Sequence, residues 1–116
     1  TLTLAAYTSQ LDSLLAALHT RTSAKVFVAN LPNLAQLPIF IHGKVPLSTI
    51  SQETRQWNDA IATVAAKDGA TLVNLATFDI ATHPSYIFVD GFHPSTQGYA
   101  QLAAIFWATI QANGGA

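Results

Sequence analysis

Two short apolar runs constrain this chain more than any other feature. "AKVFVANLP" carries Val26-Phe27-Val28-Ala29, and "ATLVNLA", residues 70–76, carries a second run from Ala70 to Leu75. In both, apolar residues are consecutive rather than alternate, which suits strands covered on both faces, as in parallel sheets. One helical pattern lies between the runs, so they form a strand–helix–strand unit with parallel strands. Two parallel strands do not make a sheet that folds by itself. Before the first run, Leu4, Tyr7, Leu11, Leu14, Leu15 and Leu18 follow helical spacing and predict a helix over residues 4–19. The order α-β-loop-α-β-loop-α, with about two strands and three main helices, reads as the second half of a doubly wound α/β domain. Residues 1–116 are then expected to be the C-terminal part of one domain, completed by an N-terminal segment absent from this chain.

The connections carry their own signals. Residues 32–48, "PNLAQLPIFIHGKVPLS", hold three prolines and no clear period. They read as a long surface loop, and loops of that length in compact domains tend to be functional. Thr49 to Gln52 has the T-x-x-Q form of a capping box. Trp57, Ile61, Val64 and Ala65 then share a helical face, and Gly69 suits the C′ position behind it. Residues 76–94 form a second long loop. Ser95 is the expected N-cap of a last helix whose buried stripe is Tyr99, Leu102, Ala103, Phe106 and Ile110.

A chain of 116 residues is one domain at most. Its net charge is −1 and its charged residues only 9%, so no basic stripe exists to track nucleic-acid phosphates. No apolar run is long enough to span a bilayer. Without cysteine there are no disulfides and no thiolate nucleophiles or metal ligands. The opening residues have no Met and no basic region, so they are not read as a signal peptide. The low-charge, Cys-free composition fits a secreted or extracellular bacterial enzyme.

Chemistry centres on the histidines. The tripeptide His-Pro-Ser occurs twice, at His83 and at His93. Asp90 precedes His93 by three residues with Gly91 between, and glycine permits the sharp path that folds a carboxylate back onto an imidazole. A carboxylate on Nδ1 fixes the tautomer and leaves Nε2 free to take a proton from a hydroxyl. The loop follows the carboxyl end of a predicted strand, where ligands bind in open α/β sheets. The competing reading is a helix-entry loop in which Asp90 only bonds backbone amides. His83 has Asp79 four residues back and no intervening glycine, so an exposed loop histidine is the better reading. His42 lies in the first long loop, where it either lines a substrate cleft or is simply exposed. His19 ends the first helix, where a partial positive charge suits the macrodipole. Histidines scattered this way do not make a metal site.

"VDGFHPSTQGYAQLAAIF" resembles the last conserved block of the SGNH/GDSL serine esterases and lipases, D-G-x-H-P-[NS]-x-x-G-Y followed by an apolar helix. The match covers Asp90, Gly91, His93, Pro94, Ser95, Gly98 and Tyr99. "WNDAIATVAAKDGATLVNL" and "AKVFVANLPNL" are similar to the helix and strands that precede that block. The resemblance implies a flavodoxin-like three-layer α/β/α parallel sheet, of which this is the C-terminal half. It implies His93 as general base and acid and Asp90 as its orienting carboxylate. Asn30, Pro32, His42 and Phe92 are the expected substrate-side residues, and no metal or cofactor is implied.

The family's G-D-S nucleophile block and its G-x-N-D block do not occur here. Asn30 ends a strand as an oxyanion asparagine does, but lacks that motif and lies on the wrong strand. Ser95 is too close along the backbone to His93 and is better used as a helix cap. Two readings remain open. In one, the chain supplies the His93–Asp90 pair to a serine on a companion N-terminal segment, and the substrate is an acyl lipid ester or an acetylated sugar. In the other, it is a non-catalytic interaction module that has lost the nucleophile. The apolar residues Leu34, Leu37, Ile39, Phe40 and Ile41 either wall the substrate cleft or cover the core.

Overall fold

A computed structural model describes residues 2–115. The elements run α1 (Leu4–Arg21), β1 (Phe27–Ala29), α2 (Pro38–Ile41), α3 (Leu47–Lys67), β2 (Thr71–Val73) and α4 (Thr96–Ala112), with 3₁₀ turns at Leu34–Gln36, Leu75–Thr77 and Pro84–Tyr86. This is a mixed α/β arrangement with four helices and a two-stranded parallel sheet. No helix among the described residues is long and apolar enough to cross a membrane.

α1 starts where Thr3 accepts a hydrogen bond from the Ala6 amide, satisfying one of the first-turn donors that a helix leaves unpaired. Its expected stripe packs as read, with Leu15 buried; Leu14 alone stays exposed. The stripe meets α3, where Tyr7 and Trp57 tilt together with ring centroids 4.9 Å apart. At the far end of this seam Lys67 donates to Asp12 at 2.8 Å and holds the Asp12 carboxyl below its usual range. The Asp12 carboxyl in turn pushes that of Asp68 up.

α3 is longer than the capping-box signal implies. It begins at Leu47 behind Pro46, which supplies no side-chain cap, so Thr49 and Gln52 lie inside the helix. Proline fixes its own backbone for helix entry without donating, and that outcompetes the local T-x-x-Q signal. Ile61, Val64 and Ala65 are buried on the expected face, joined by Ile50 and Thr54. Beyond Gly69, the Ala70 amide closes back on the Ala65 carbonyl at 2.9 Å and stops the helix.

β1 and β2 pair in parallel with Phe27 opposite Thr71, Val28 opposite Leu72 and Ala29 opposite Val73. Val73 is fully buried, whereas β1 is only half-buried throughout. Among the described residues β1 has a partner on one edge alone. Two asparagines fix where the chain leaves this strand. The buried Asn30 side chain donates to Asn74 at 2.9 Å and accepts from the Leu75 amide at 2.6 Å, clamping the two strand ends together. Asn58 of α3 accepts from the Leu31 amide at 2.8 Å and donates to its carbonyl at 3.0 Å.

Residues 32–48 are only in part the surface loop that their aperiodic sequence predicts: residues 41–48 are exposed, but the stretch before them is folded in. Residues 34–41 form a 3₁₀ turn and the short α2, and Leu37 is buried in a core cluster with Phe78 and Ile80. Leu34, Phe40, Tyr86, Ile87, Leu102 and Ile105 pack around that cluster. Much of the core therefore comes from connections, whose apolar residues obey no helix or strand period.

α4 is capped as expected: Ser95 Oγ accepts from the Gly98 amide at 3.1 Å. Its buried face differs from the expected stripe. Leu102, Phe106 and Ile110 are half-buried, but Tyr99 and Ala103 are exposed, and Ile105 faces the core. The helix is apolar nearly all round, so its pattern cannot choose a face. A backbone contact chooses instead: a Cβ on Gly98 would lie 2.0 Å from the Tyr86 carbonyl oxygen, so only glycine lets the 3₁₀ turn sit on α4.

Candidate active site

The chain between the last 3₁₀ turn and α4 doubles back on itself. Ile87 bridges Pro94 antiparallel, the Phe88 amide donates to the His93 carbonyl at 2.8 Å, and the Ser95 amide donates to Tyr86 at 2.7 Å. Within this narrow frame Gly91 donates to the Phe88 carbonyl at 3.0 Å, closing a four-residue turn. Gly91 has φ +74°, a left-handed conformation that a side chain would strain. An added Cβ would also press to 3.1 Å from the Ile39 nitrogen.

The turn aims Asp90 inward. Its Oδ1 accepts from the Phe92 and His93 amides at 3.0 Å each, and its Oδ2 accepts from His93 Nδ1 at 2.5 Å. The two readings of this carboxylate thus hold together, one oxygen on the backbone and the other on the ring. The His93 bond first, then the Phe92 amide, lowers the Asp90 pKa below the ordinary aspartate value, so the carboxylate stays ionised. With an anion on Nδ1, the proton of a neutral ring sits there and the lone pair sits on Nε2. The His93 side chain is 65% exposed, so a reactant can reach it. Phe92 stands edge-on to the imidazole at 5.0 Å and limits its rotation.

The loop is tied to the rest of the fold through α2. The Ile39 amide, one of the donors left free at that helix's start, bonds the Gly91 carbonyl at 3.1 Å. Sequence reasoning missed this link, because neither Ile39 nor the Gly91 carbonyl carries a signal of pairing. It also missed Asn58, a mid-helix asparagine whose partner is pure backbone.

The second His-Pro-Ser copy is built differently. His83 Nδ1 lies 3.0 Å from the Thr82 hydroxyl and 3.2 Å from the Asp79 carbonyl, while the Asp79 carboxylate is 3.9 Å away. That carboxylate bonds the Thr82 hydroxyl and amide, which lower its pKa. The ring stacks on Tyr86 at 4.6 Å and its outer side is exposed, as expected of a loop histidine.

The other expected site residues do not gather at His93. Asn30 has both amide atoms engaged in the strand clamp. Pro32 is half-buried between β1 and the first 3₁₀ turn, and His42 is exposed at the end of α2. Phe92 alone touches the imidazole. Among the serines, Ser95 is committed to capping α4 and donates to the Ser85 carbonyl at 2.5 Å.

No curated protein and no solved structure matches this chain. A family model does match, over residues 1–101, which takes in both strands, the Asp90–His93 turn and the start of α4. The chain therefore belongs to the GDSL-like lipase/acylhydrolase family.

Proposed function

We propose that this chain is the histidine-bearing part of a serine-dependent ester hydrolase. Its domain is completed, as a flavodoxin-like three-layer sheet, by an N-terminal segment carrying the serine and the oxyanion donors. One observation carries this reading: an exposed imidazole held at 2.5 Å by a carboxylate whose other oxygen is fixed by two amides. Two further features support it. Among the described residues no serine hydroxyl bonds the His93 ring, and β1 offers an unpaired edge where further strands can add. Such an edge attracts pairing unless it is covered.

In the proposed reaction the serine oxygen attacks the ester carbonyl while His93 Nε2 takes its proton. The proton passes to the departing alcohol oxygen, leaving an acyl-serine. Water, deprotonated by the same nitrogen, then releases the acid. Asp90 holds the ring in one tautomer and stabilises the imidazolium in both halves of the cycle.

A fluorophosphonate probe applied to the purified protein tests the proposal. Label on a serine N-terminal to this chain, within one polypeptide or on a companion, is the expected result. His93→Ala should then lower ester turnover by about a thousandfold, within the range of positioned general bases, without changing the circular dichroism spectrum. Unlabelled protein that is stable, monomeric and inactive would instead identify an interaction module that has lost the nucleophile.

A further inference from the structure

A cleft of about 350 Å³ opens between α1, α3 and the segment that follows β1. We propose that it receives the acyl chain of the ester, which makes the substrate a medium-chain acyl ester rather than an acetylated sugar. The inference rests on the ester-hydrolase reading and adds the substrate class to it.

Position is the first argument. Leu31, in the cleft wall, follows the carboxyl end of β1, and the Asp90–His93 turn lies beyond the carboxyl end of β2. The strands are parallel, so these are the same edge of the sheet, where open α/β folds bind ligands. The two are joined by α2: Phe40 lines the cleft, and its neighbour Ile39 bonds Gly91, two residues from His93. One short helix therefore links the cleft to the Asp90–His93 turn.

Chemistry is the second. Tyr7, Leu31, Leu34, Phe40, Trp57 and Ile61 form the walls, with the Tyr7–Trp57 pair set across the α1–α3 seam. Besides the Tyr7 hydroxyl, the lining has two polar side chains. Thr54 spends its hydroxyl on the Ile50 carbonyl at 2.7 Å, and Glu53 is exposed. A sugar ring needs several converging donors and acceptors, and this lining offers only the Tyr7 hydroxyl and the exposed Glu53 carboxylate. An alkyl chain needs only apolar wall. A methylene takes about the room of one water molecule, about 30 Å³, so the space holds roughly ten carbons. A second groove lies on the other side of α2, against residues 80–87. Its walls include Pro38 and Ile41 of α2, Leu47 of α3 and Ile87, with no residue at an end of β1 or β2, so it serves as the control.

Two measurements on the protein as purified, with any polypeptide that accompanies it, test the inference. Calorimetric titration should show decanoate binding saturably and acetate not binding, with affinity rising about fourfold per added methylene until the cleft fills. Leu31→Trp, which fills the cleft, should abolish decanoate binding; Ile41→Trp, in the second groove, should leave it intact. Ester hydrolysis should favour octanoyl and decanoyl over acetyl nitrophenyl esters. Leu31→Trp should lower decanoyl kcat/KM at least tenfold, and Ile41→Trp should leave it unchanged. Chain-length selectivity that survives Leu31→Trp, or is lost in Ile41→Trp, would overturn the assignment. Decanoate binding that obeys these rules in a protein without hydrolytic activity would sink the hydrolase reading while leaving the cleft's ligand class standing.

Discussion

Asp90 does three jobs with two oxygens. It caps two amides, orients one ring and carries the negative charge opposite that ring. Asparagine keeps the amide-capping geometry but loses the charge, so Asp90→Asn separates these jobs. Turnover should fall about as steeply as in His93→Ala, because the asparagine NH2 faces Nδ1 and moves the ring proton to Nε2, the nitrogen that must accept one. Stability gives a second readout with a definite sign. A carboxyl whose folded-state pKa is lowered contributes stability above the ordinary aspartate range, and that contribution is lost as pH falls through the lowered value. The melting temperature of the native protein should exceed that of Asp90→Asn at neutral pH, and the two should converge in strong acid. Equal gaps at every pH would show that the charge contributes nothing. The D-G-x-H spacing made this pair legible in the sequence, since the glycine between the two residues needs a reason. Where Nε2 points, and the link from Gly91 to Ile39, were not legible, because backbone carbonyls and amides look alike in any sequence.

Among the elements, α4 shows how a contact can outrank a pattern. Its residues are apolar on most faces, so the expected stripe was one choice among several: Leu102, Phe106 and Ile110 are half-buried as expected, while Tyr99 and Ala103 are exposed and Ile105 packs on the core. Gly98 decides the matter through its approach to the Tyr86 carbonyl. Helix propensity favours alanine over glycine by about 1 kcal/mol. Overpacking costs about 1–3 kcal/mol, and a Cβ at 2.0 Å from backbone oxygen belongs at the upper end of that range. Gly98→Ala should therefore destabilise by about 1–2 kcal/mol net in denaturant titration; a gain in stability would mean that the turn shifts freely. α1 and the face of α3 were read correctly because long amphipathic periods leave little choice. Residues 34–40 were misread because prolines suggested a loop, while the burial of Leu37 depends on Phe78 and Ile80 far along the chain; residues 41–48 are exposed as expected.

For the molecule as a whole, the two-stranded sheet is the informative feature. Val26 gives its carbonyl and Asn30 its amide to β2. Backbone groups alternate along a strand, so the Phe27 and Ala29 amides face the other edge. If a preceding segment adds strands there, hydrogen exchange at Phe27 and Ala29 should be slowed by several orders of magnitude in the active protein. Exchange at the rate of an open peptide in a catalytically competent sample would mean that the domain is completed some other way. The parallel strand–helix–strand unit was legible because consecutive apolar residues mark buried strands.

The bond between Ile39 and Gly91 has one more implication. It yokes the wall that would grip a fatty tail to the turn that aims the imidazole. Pressure on Phe40 is then felt at the ring, so a long tail should steady the proton acceptor as well as anchor the molecule. Clipping carbons from the tail should slow the turnover number itself and not merely weaken capture, the pattern expected when grip far from the reacting bond is spent on alignment.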